Sequence, residues 1–337
     1  MGDVVSTVAG AVPVEELGRV MMHEHLLSLV PGPWTSGGGS DDSVKIAVDA
    51  LSSLKAAGVG TVVDISPYGV VGRDNDGDNA VLLRDISLQS GLHIVSGTAV
   101  YLEAYSPEWA LEATLEELTA RFIADATSGI GSTDVVAGIF GEQATSLGEI
   151  TAHEEKCLRA SARAARTTGL GIMTHTTHGT MGFEQIEILA SEGVSLDRVV
   201  LGHMDTQLSV DYVRRINDAG VNVAIDTIGK QTWEFFLGPP PQDRPEGEFT
   251  KDCFYRTDEG RADMVAQLVA DGRTETIFLA SDLTGAEMWM NPDTHGQLGY
   301  NYIVDAFIPM LKERGVTEVQ CEQMLTGNPA RLLGRPE

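Results

Sequence analysis

Eight short runs of nearly unbroken apolar residues recur along the chain: GRVMMHEH, GVGTVVDIS, LHIVSGTAVY, DVVAGIFGE, LGIMTHT, RVVLGHMD, VNVAIDTIG and ETIFLASD. Continuous apolar runs of this length predict parallel strands covered on both faces. Helical patterns lie between them. DDSVKIAVDALSSLKAAG opens on acidic N-cap candidates and stops at Gly58. SPEWALEATLEELTARFIADATSG predicts one helix, with Ser106 as N-cap, Pro107 at the first helical position and a stop at Gly129. TAHEEKCLRASARAARTTG opens on a capping box, Thr151 with Glu154. SVDYVRRINDAG, GRADMVAQLVADG and GYNYIVDAFIPMLKERG also end at glycine, the usual helix stop.

Eight strand–helix units predict an α/β fold of the (β/α)8 TIM barrel type, a single domain spanning residues 1–337. A doubly wound open sheet is the alternative, weakened because no GxGxxG follows the first strand. The longest irregular insert follows strand seven, at about 229–260. It is rich in proline and aromatics, and a loop that long is usually functional or disordered. Its Trp233, Phe235, Phe236, Phe254 and Tyr255 would line an apolar pocket or hold a dimer contact.

Composition narrows the partners. The chain has 337 residues, is 42% apolar, and carries a formal charge of −26. Such a surface repels phosphate backbones and anionic lipids, so the expected partner is a small-molecule substrate, with no nucleic acid and no membrane. The three cysteines, Cys157, Cys253 and Cys321, are far apart and suggest no disulfide framework, which fits a reducing cytoplasm. The N-terminal residues lack the apolar core of a signal peptide, and no run of about 18 apolar residues would span a membrane.

The chemistry gathers at the strand ends. In a strand, residues i and i+2 share a face, so His23 and His25 point the same way and Glu24 the other. Strand four ends in Glu142, strand five in His175, strand six in His203 and strand eight in Asp282; strands two and seven end in Asp64 and Asp226. Catalytic groups of such barrels collect at this end. Four His, one Glu and one Asp on one rim would be costly to pack together without a compensating cation. Six ligands are too many for one catalytic zinc and suit two ions sharing a bridging carboxylate and a bridging hydroxide.

With these residues in place, the chain resembles the phosphotriesterase-like family of the amidohydrolase superfamily. The marks are LGRVMMHEHL, VVDISPYGVVGRD, AGIFGEQATS, THTTHGTMGFEQ, VLGHMD, DTIGK, ASDLT and NPARLL, from about Val12 to Leu333. The resemblance implies a buried α-metal on His23, His25 and Asp282, a more exposed β-metal on His175 and His203, and a bridge from strand four. Many members bridge with a carboxylated lysine. Here Glu142 stands instead, as in the subgroup of phosphotriesterase homology and phosphotriesterase-related proteins, although Gln143 and Ala144 replace the apolar residue and Gly usual after it.

The implied cofactors are two divalent ions, Zn²⁺ first and Mn²⁺ or Co²⁺ as alternatives. The implied function is hydrolysis of a carboxylic ester, lactone or amide carbonyl by a bridging hydroxide, with organophosphate triester hydrolysis as the alternative. Asp282 would be the catalytic proton acceptor as well as a ligand. Tyr101 resembles a pocket tyrosine of the lactonase branch, and Lys230 would pair with an anionic substrate group or form a surface salt bridge. Trp233 is the third expected substrate contact. His178 and His295 fall in mouth loops, and Arg73 and Asp74 brace a loop. The family is often dimeric, which implies a homodimer.

Overall fold

The computed structural model describes residues 3–27, 41–69, 75–238, 250–284 and 299–336, and only the backbone at 41–43, 46, 232–238, 250–254 and 336. Arg73, Asp74 and His295 lie outside the described residues, as do the side chains of Trp233, Phe235, Phe236 and Phe254.

The eight apolar runs form eight parallel strands: β1 (Arg19–Glu24), β2 (Val59–Asp64), β3 (His93–Thr98), β4 (Ile139–Thr145), β5 (Ile172–Thr176), β6 (Val199–Leu201), β7 (Asn222–Ile225) and β8 (Ile277–Leu279). They pair in chain order. The seam between β8 and β1 is bridged just beyond β8, where Asp282 N donates to His23 O and His25 N to Leu283 O, both at 2.9 Å. The nearly closed sheet is therefore a (β/α)8 barrel, not an open doubly wound sheet.

Alternation along each strand splits the core in two. Val20, Met22, Val63, Val95, Ile139, Met173, Val200, Ala224 and Phe278 fill the barrel interior. Met21, Val62, Ile94, Phe140, Ile172, Leu201, Ile225 and Leu279 face the helices. Apolar burial on both faces explains why the strands are continuous apolar runs. A hairpin of Asp3–Thr7 and Gly10–Pro13, unread in the sequence, pairs with Arg335–Pro336. Its Val5 joins Leu17, Leu332 and Leu333 in the interior cluster, and Val8 N donates to Ile94 O at the start of β3. The hairpin thus plugs the end of the barrel opposite the histidines.

Period two alone does not aim His23 inward, because Val20 and Met22 already occupy the interior face. A register shift between Met21 and Glu24, three residues against two on β2, resets the alternation so that His23 and His25 face the axis. A second shift, between Phe140 and Gln143 against β5, does the same for Glu142. Gly141 is needed there: a Cβ on it would stand 2.7 Å from Met173 O and 2.6 Å from the Ile65 side chain.

Two expectations need correction. The segment begun at Ser106 is not one helix. Glu108–Glu112 forms a single turn, and Leu115–Thr127 starts afresh on a capping box of Thr114 and Glu117; Pro107 occupies the N-cap position and Ser106 donates to Leu102 O instead. The described part of the insert after β7 is not irregular. Thr232–Gly238 pairs antiparallel with Thr250–Tyr255, Trp233 opposite Phe254. The helix formed by Ala152–Thr168 opens on the predicted box of Thr151 and Glu154. No helix of the described residues is long and apolar enough to cross a membrane.

Candidate metal centre

All six predicted ligands meet at the C-terminal mouth. Two groups of donor atoms lie close enough to hold an ion: His23, His25 and Asp282, and His23, Glu142 and His203, every residue buried. His25 Nε2 is 3.0 Å and His23 Nε2 3.4 Å from Asp282 Oδ1. Ligands about 2.05 Å from a tetrahedral zinc stand about 3.3 Å apart, so this spacing fits an ion. Glu142, in the second set, also reaches His175, its Oε1 being 2.6 Å from His175 Nδ1, 3.0 Å from His203 Nε2 and 3.5 Å from His23 Nε2. The His175–His203–Glu142 side is tighter than an ion requires.

The hydrogen bonds behind the rings decide which nitrogens are offered. Asp226, at the end of β7, accepts from His23 Nδ1 at 2.9 Å and from His203 Nδ1 at 3.0 Å. A carboxylate only accepts, so both Nδ1 atoms carry protons and both Nε2 atoms face the centre. His25 Nδ1 lies 3.0 Å from Ser66 Oγ. His175 is turned the other way. Thr177 Oγ1 spends its proton on Thr145 O at 2.8 Å and so accepts from His175 Nε2 at 3.1 Å, leaving Nδ1 to face Glu142. His23 Nε2, fully buried, has no hydrogen-bond partner. An orphaned imidazole lone pair between two carboxylates is what a cation would satisfy, so the donor set fits a metal.

Two of the predicted ligands have strained backbone. His203 and Asp282 are two of four described non-glycine residues with positive φ, at 57° and 51°. Each is held by its own amide: His203 N donates to Asp226 Oδ1 at 2.8 Å, Asp282 N to His23 O at 2.9 Å. Glu24, pointing away from the axis as expected, accepts from Ser281 N at 3.1 Å and Leu283 N at 2.8 Å, bracketing Asp282. Burial pushes the Glu24 carboxyl up to about 8, against these two donors. Asp64 likewise accepts from Leu26 N at 2.8 Å, behind His25.

Burial would raise the Asp282 carboxyl, but Lys230 and His23 hold it down at about 2. Glu142 sits well below the usual carboxylate range, the His175 and His23 imidazoles outweighing burial. Burial lowers His175. It disfavours charge on His203 too, yet the Asp226 carboxylate raises that imidazole well above its ordinary value.

Lys230 is buried, not on the surface. Its ammonium donates to Asp282 O and, at 3.1 Å, to Asp282 Oδ2. Tyr101 OH is 3.3 Å from His175 Nδ1, and burial with the charges of Glu142 and Asp282 keeps the phenol protonated. His178 has a left-handed backbone, φ 52°, in the turn Thr177–Gly179, and is not among the grouped donor atoms. Tyr255 is exposed. Gln143 is fully buried, its Nε2 donating to Val100 O at 2.8 Å and its Oε1 accepting from Ser161 Oγ at 3.2 Å, which pins the strand end that carries Tyr101. Sequence reading noted Asp226 as a strand end without its double contact, and found no role for Glu24.

Comparison with known proteins gives the family. The sequence profile of the phosphotriesterase family matches residues 3–333. The chain is 30% identical over 315 residues to the phosphotriesterase homology protein of Escherichia coli strain K12, covering 94% of this chain and 97% of that protein. It is 27% identical to the N-acetyltaurine hydrolase of Dictyostelium discoideum, covering 87% of this chain and 74% of that one. The crystal structure of a mutant of the phosphotriesterase-like lactonase of Deinococcus radiodurans superposes with a TM-score of 0.81 at 31% identity, covering 98% of this chain and all of the other.

Proposed function

Since the chain belongs to the phosphotriesterase family and is therefore a hydrolase, we propose that it holds two divalent ions, zinc first among them, and hydrolyses a carboxylic ester, lactone or amide carbonyl of a small molecule. The observation that carries this reading is the pair of donor sets sharing His23, the second of which includes Glu142. When bound, the ions supply hydroxide at neutral pH and a Lewis acid for the substrate oxygen.

The chain's own residues do the rest. His23, His25 and Asp282 would hold one ion and His175 and His203 the other, with Glu142 as the shared carboxylate. Asp226 keeps His23 and His203 in the tautomer that offers Nε2. Asp282 accepts the proton released in the attack and passes it to the leaving group. Lys230 stands on the Asp282 carboxylate, fixes its second oxygen and adds positive charge beside an anionic substrate group. The protonated Tyr101 phenol, on the opposite side of the centre beside His175, donates to a substrate or leaving-group oxygen.

Two named relatives support a carbonyl substrate: one is a lactonase and one cleaves N-acetyltaurine, an amide. The test is a panel of aliphatic and aryl esters, γ- and δ-lactones, N-acyl amides and a diethyl aryl phosphate, with zinc-loaded protein. Turnover of one carbonyl class with kcat/KM above about 10⁴ M⁻¹s⁻¹ supports the reading. Comparable turnover of the phosphotriester alone would replace it with triester hydrolysis.

A further inference from the structure

Arg261 is the largest fully buried side chain among the described residues, and it touches none of the six ligands. It rises from the first turn of the helix Asp258–Ala270, capped by Thr257. Its guanidinium is saturated. Nε donates to Asp205 Oδ2 at 2.7 Å. Nη1 donates to Asp258 Oδ1 at 2.7 Å and Arg256 O at 3.0 Å. Nη2 donates to Thr227 Oγ1 at 2.9 Å and Lys230 O at 2.6 Å.

Four of these five acceptors belong to the exit of β7 or lead to it. Asp205 also accepts from Asp226 N at 3.2 Å and from the Thr227 hydroxyl. Asp258 also accepts from Gly229 N at 3.1 Å. The segment from Asp226 to Lys230 is thereby stitched to one guanidinium. That segment carries two side chains that orient ligands: Asp226, on His23 and His203, and Lys230, on Asp282.

We propose that Arg261 is the positioning residue of the metal centre, fixing Asp226 and Lys230 through the backbone between them; this rests on the metal reading above. A buried ion pair is a poor source of stability, because desolvating its charges offsets their attraction. A guanidinium suits the task because its five donors lie in a rigid plane and reach five acceptors at once. A lysine ammonium offers three donors from one point. The two residues it steers contact His23, His203 and Asp282, so loss of the span loosens three of the six ligands together.

The test is Arg261→Lys, which keeps the charge and loses the span. Metal affinity is measured on chelator-stripped protein by competition with a chromogenic chelator, and the visible spectrum is recorded after loading with Co²⁺. Thermal unfolding of the stripped protein reports the fold separately. The expected result is a folded variant whose metal affinity drops by about 10–100-fold, the usual cost of losing a residue that orients ligands, with altered cobalt bands. A variant that melts earlier but binds metal with unchanged affinity and spectrum overturns the proposal, because Arg261 would then serve the fold alone. If Arg261→Lys does not fold, Asp205→Asn is read in the same way, since an amide nitrogen in place of Oδ2 cannot accept from Arg261 Nε or the Thr227 hydroxyl, and Arg261 stays paired with Asp258. Wild-type protein that takes up no metal would defeat the metal reading itself, a result distinct from wild-type and variant binding alike.

Discussion

Asp226 serves two imidazoles with one carboxylate, and this makes it the most sensitive position outside the ligands. Asp226→Asn would offer one acceptor oxygen and one donor, so one of the two Nδ1–H groups loses its partner. Metal affinity should fall by about 10–100-fold, read by chelator competition, with the fold intact. Asp282→Asn should instead cut turnover by at least about 100-fold, and a variant keeping more than a tenth of the activity contradicts its role as proton acceptor. Away from the centre, His153 is buried beside Ser106, its Nε2 2.9 Å from Ser106 Oγ. Burial and the neighbouring Lys156 lower its pKa. The unfolded chain then binds this proton more readily, so the contribution of neutral His153 is present above about pH 6.5 and is lost as pH falls below it. His153→Gln should flatten the fall in Tm between pH 7 and pH 5, measured on metal-stripped protein. The convergence of the six candidate ligands on one rim was legible because each ends an apolar run. Arg261 and Glu24 were not, because their partners, Asp205 and Ser281, lie 56 and 257 residues away and spacing carries no trace of such pairs.

Elements were read where the signal is local. Thr151-x-x-Glu154 announces a helix start, and the structure has it; Thr114-x-x-Glu117 carries the same signal but sits inside a longer helical stretch that masked the break. The two boxes differ in reach. The Glu117 carboxylate serves only Thr114, while Glu154, fully buried, also accepts from Ser146 N and Oγ and from Glu103 N. Thr114→Ala should cost about 1 kcal/mol in denaturant unfolding, the usual worth of an N-cap. Glu154→Ala should cost more, about 3 kcal/mol, because it strands buried donors as well; equal losses would contradict the difference in reach. The bulges in β1 and β4 left no mark in the sequence beyond Gly141. A bulge changes the pairing count between two strands, and that is a property of the sheet. In the insert after β7, proline density outweighed the strand-forming TWEFF and KDCFY.

At the scale of the whole molecule, the fold places every charged group of the centre at one end of a barrel whose other end is plugged by apolar side chains. Barrel and metal-binding rim were both legible, since the strand rhythm and the strand-terminal residues come from the same eight runs. The bound ions should also hold the molecule together: a ligand at about 100 times its Kd stabilises the folded state by about 2.7 kcal/mol per site. Stepwise return of Zn²⁺ to chelator-stripped protein, following bound metal, Tm and hydrolysis of the best panel substrate together, tests the central claim most directly. The account predicts no turnover in the stripped protein and a rise in all three that saturates at two equivalents. Saturation at one equivalent, or full turnover without metal, would contradict it.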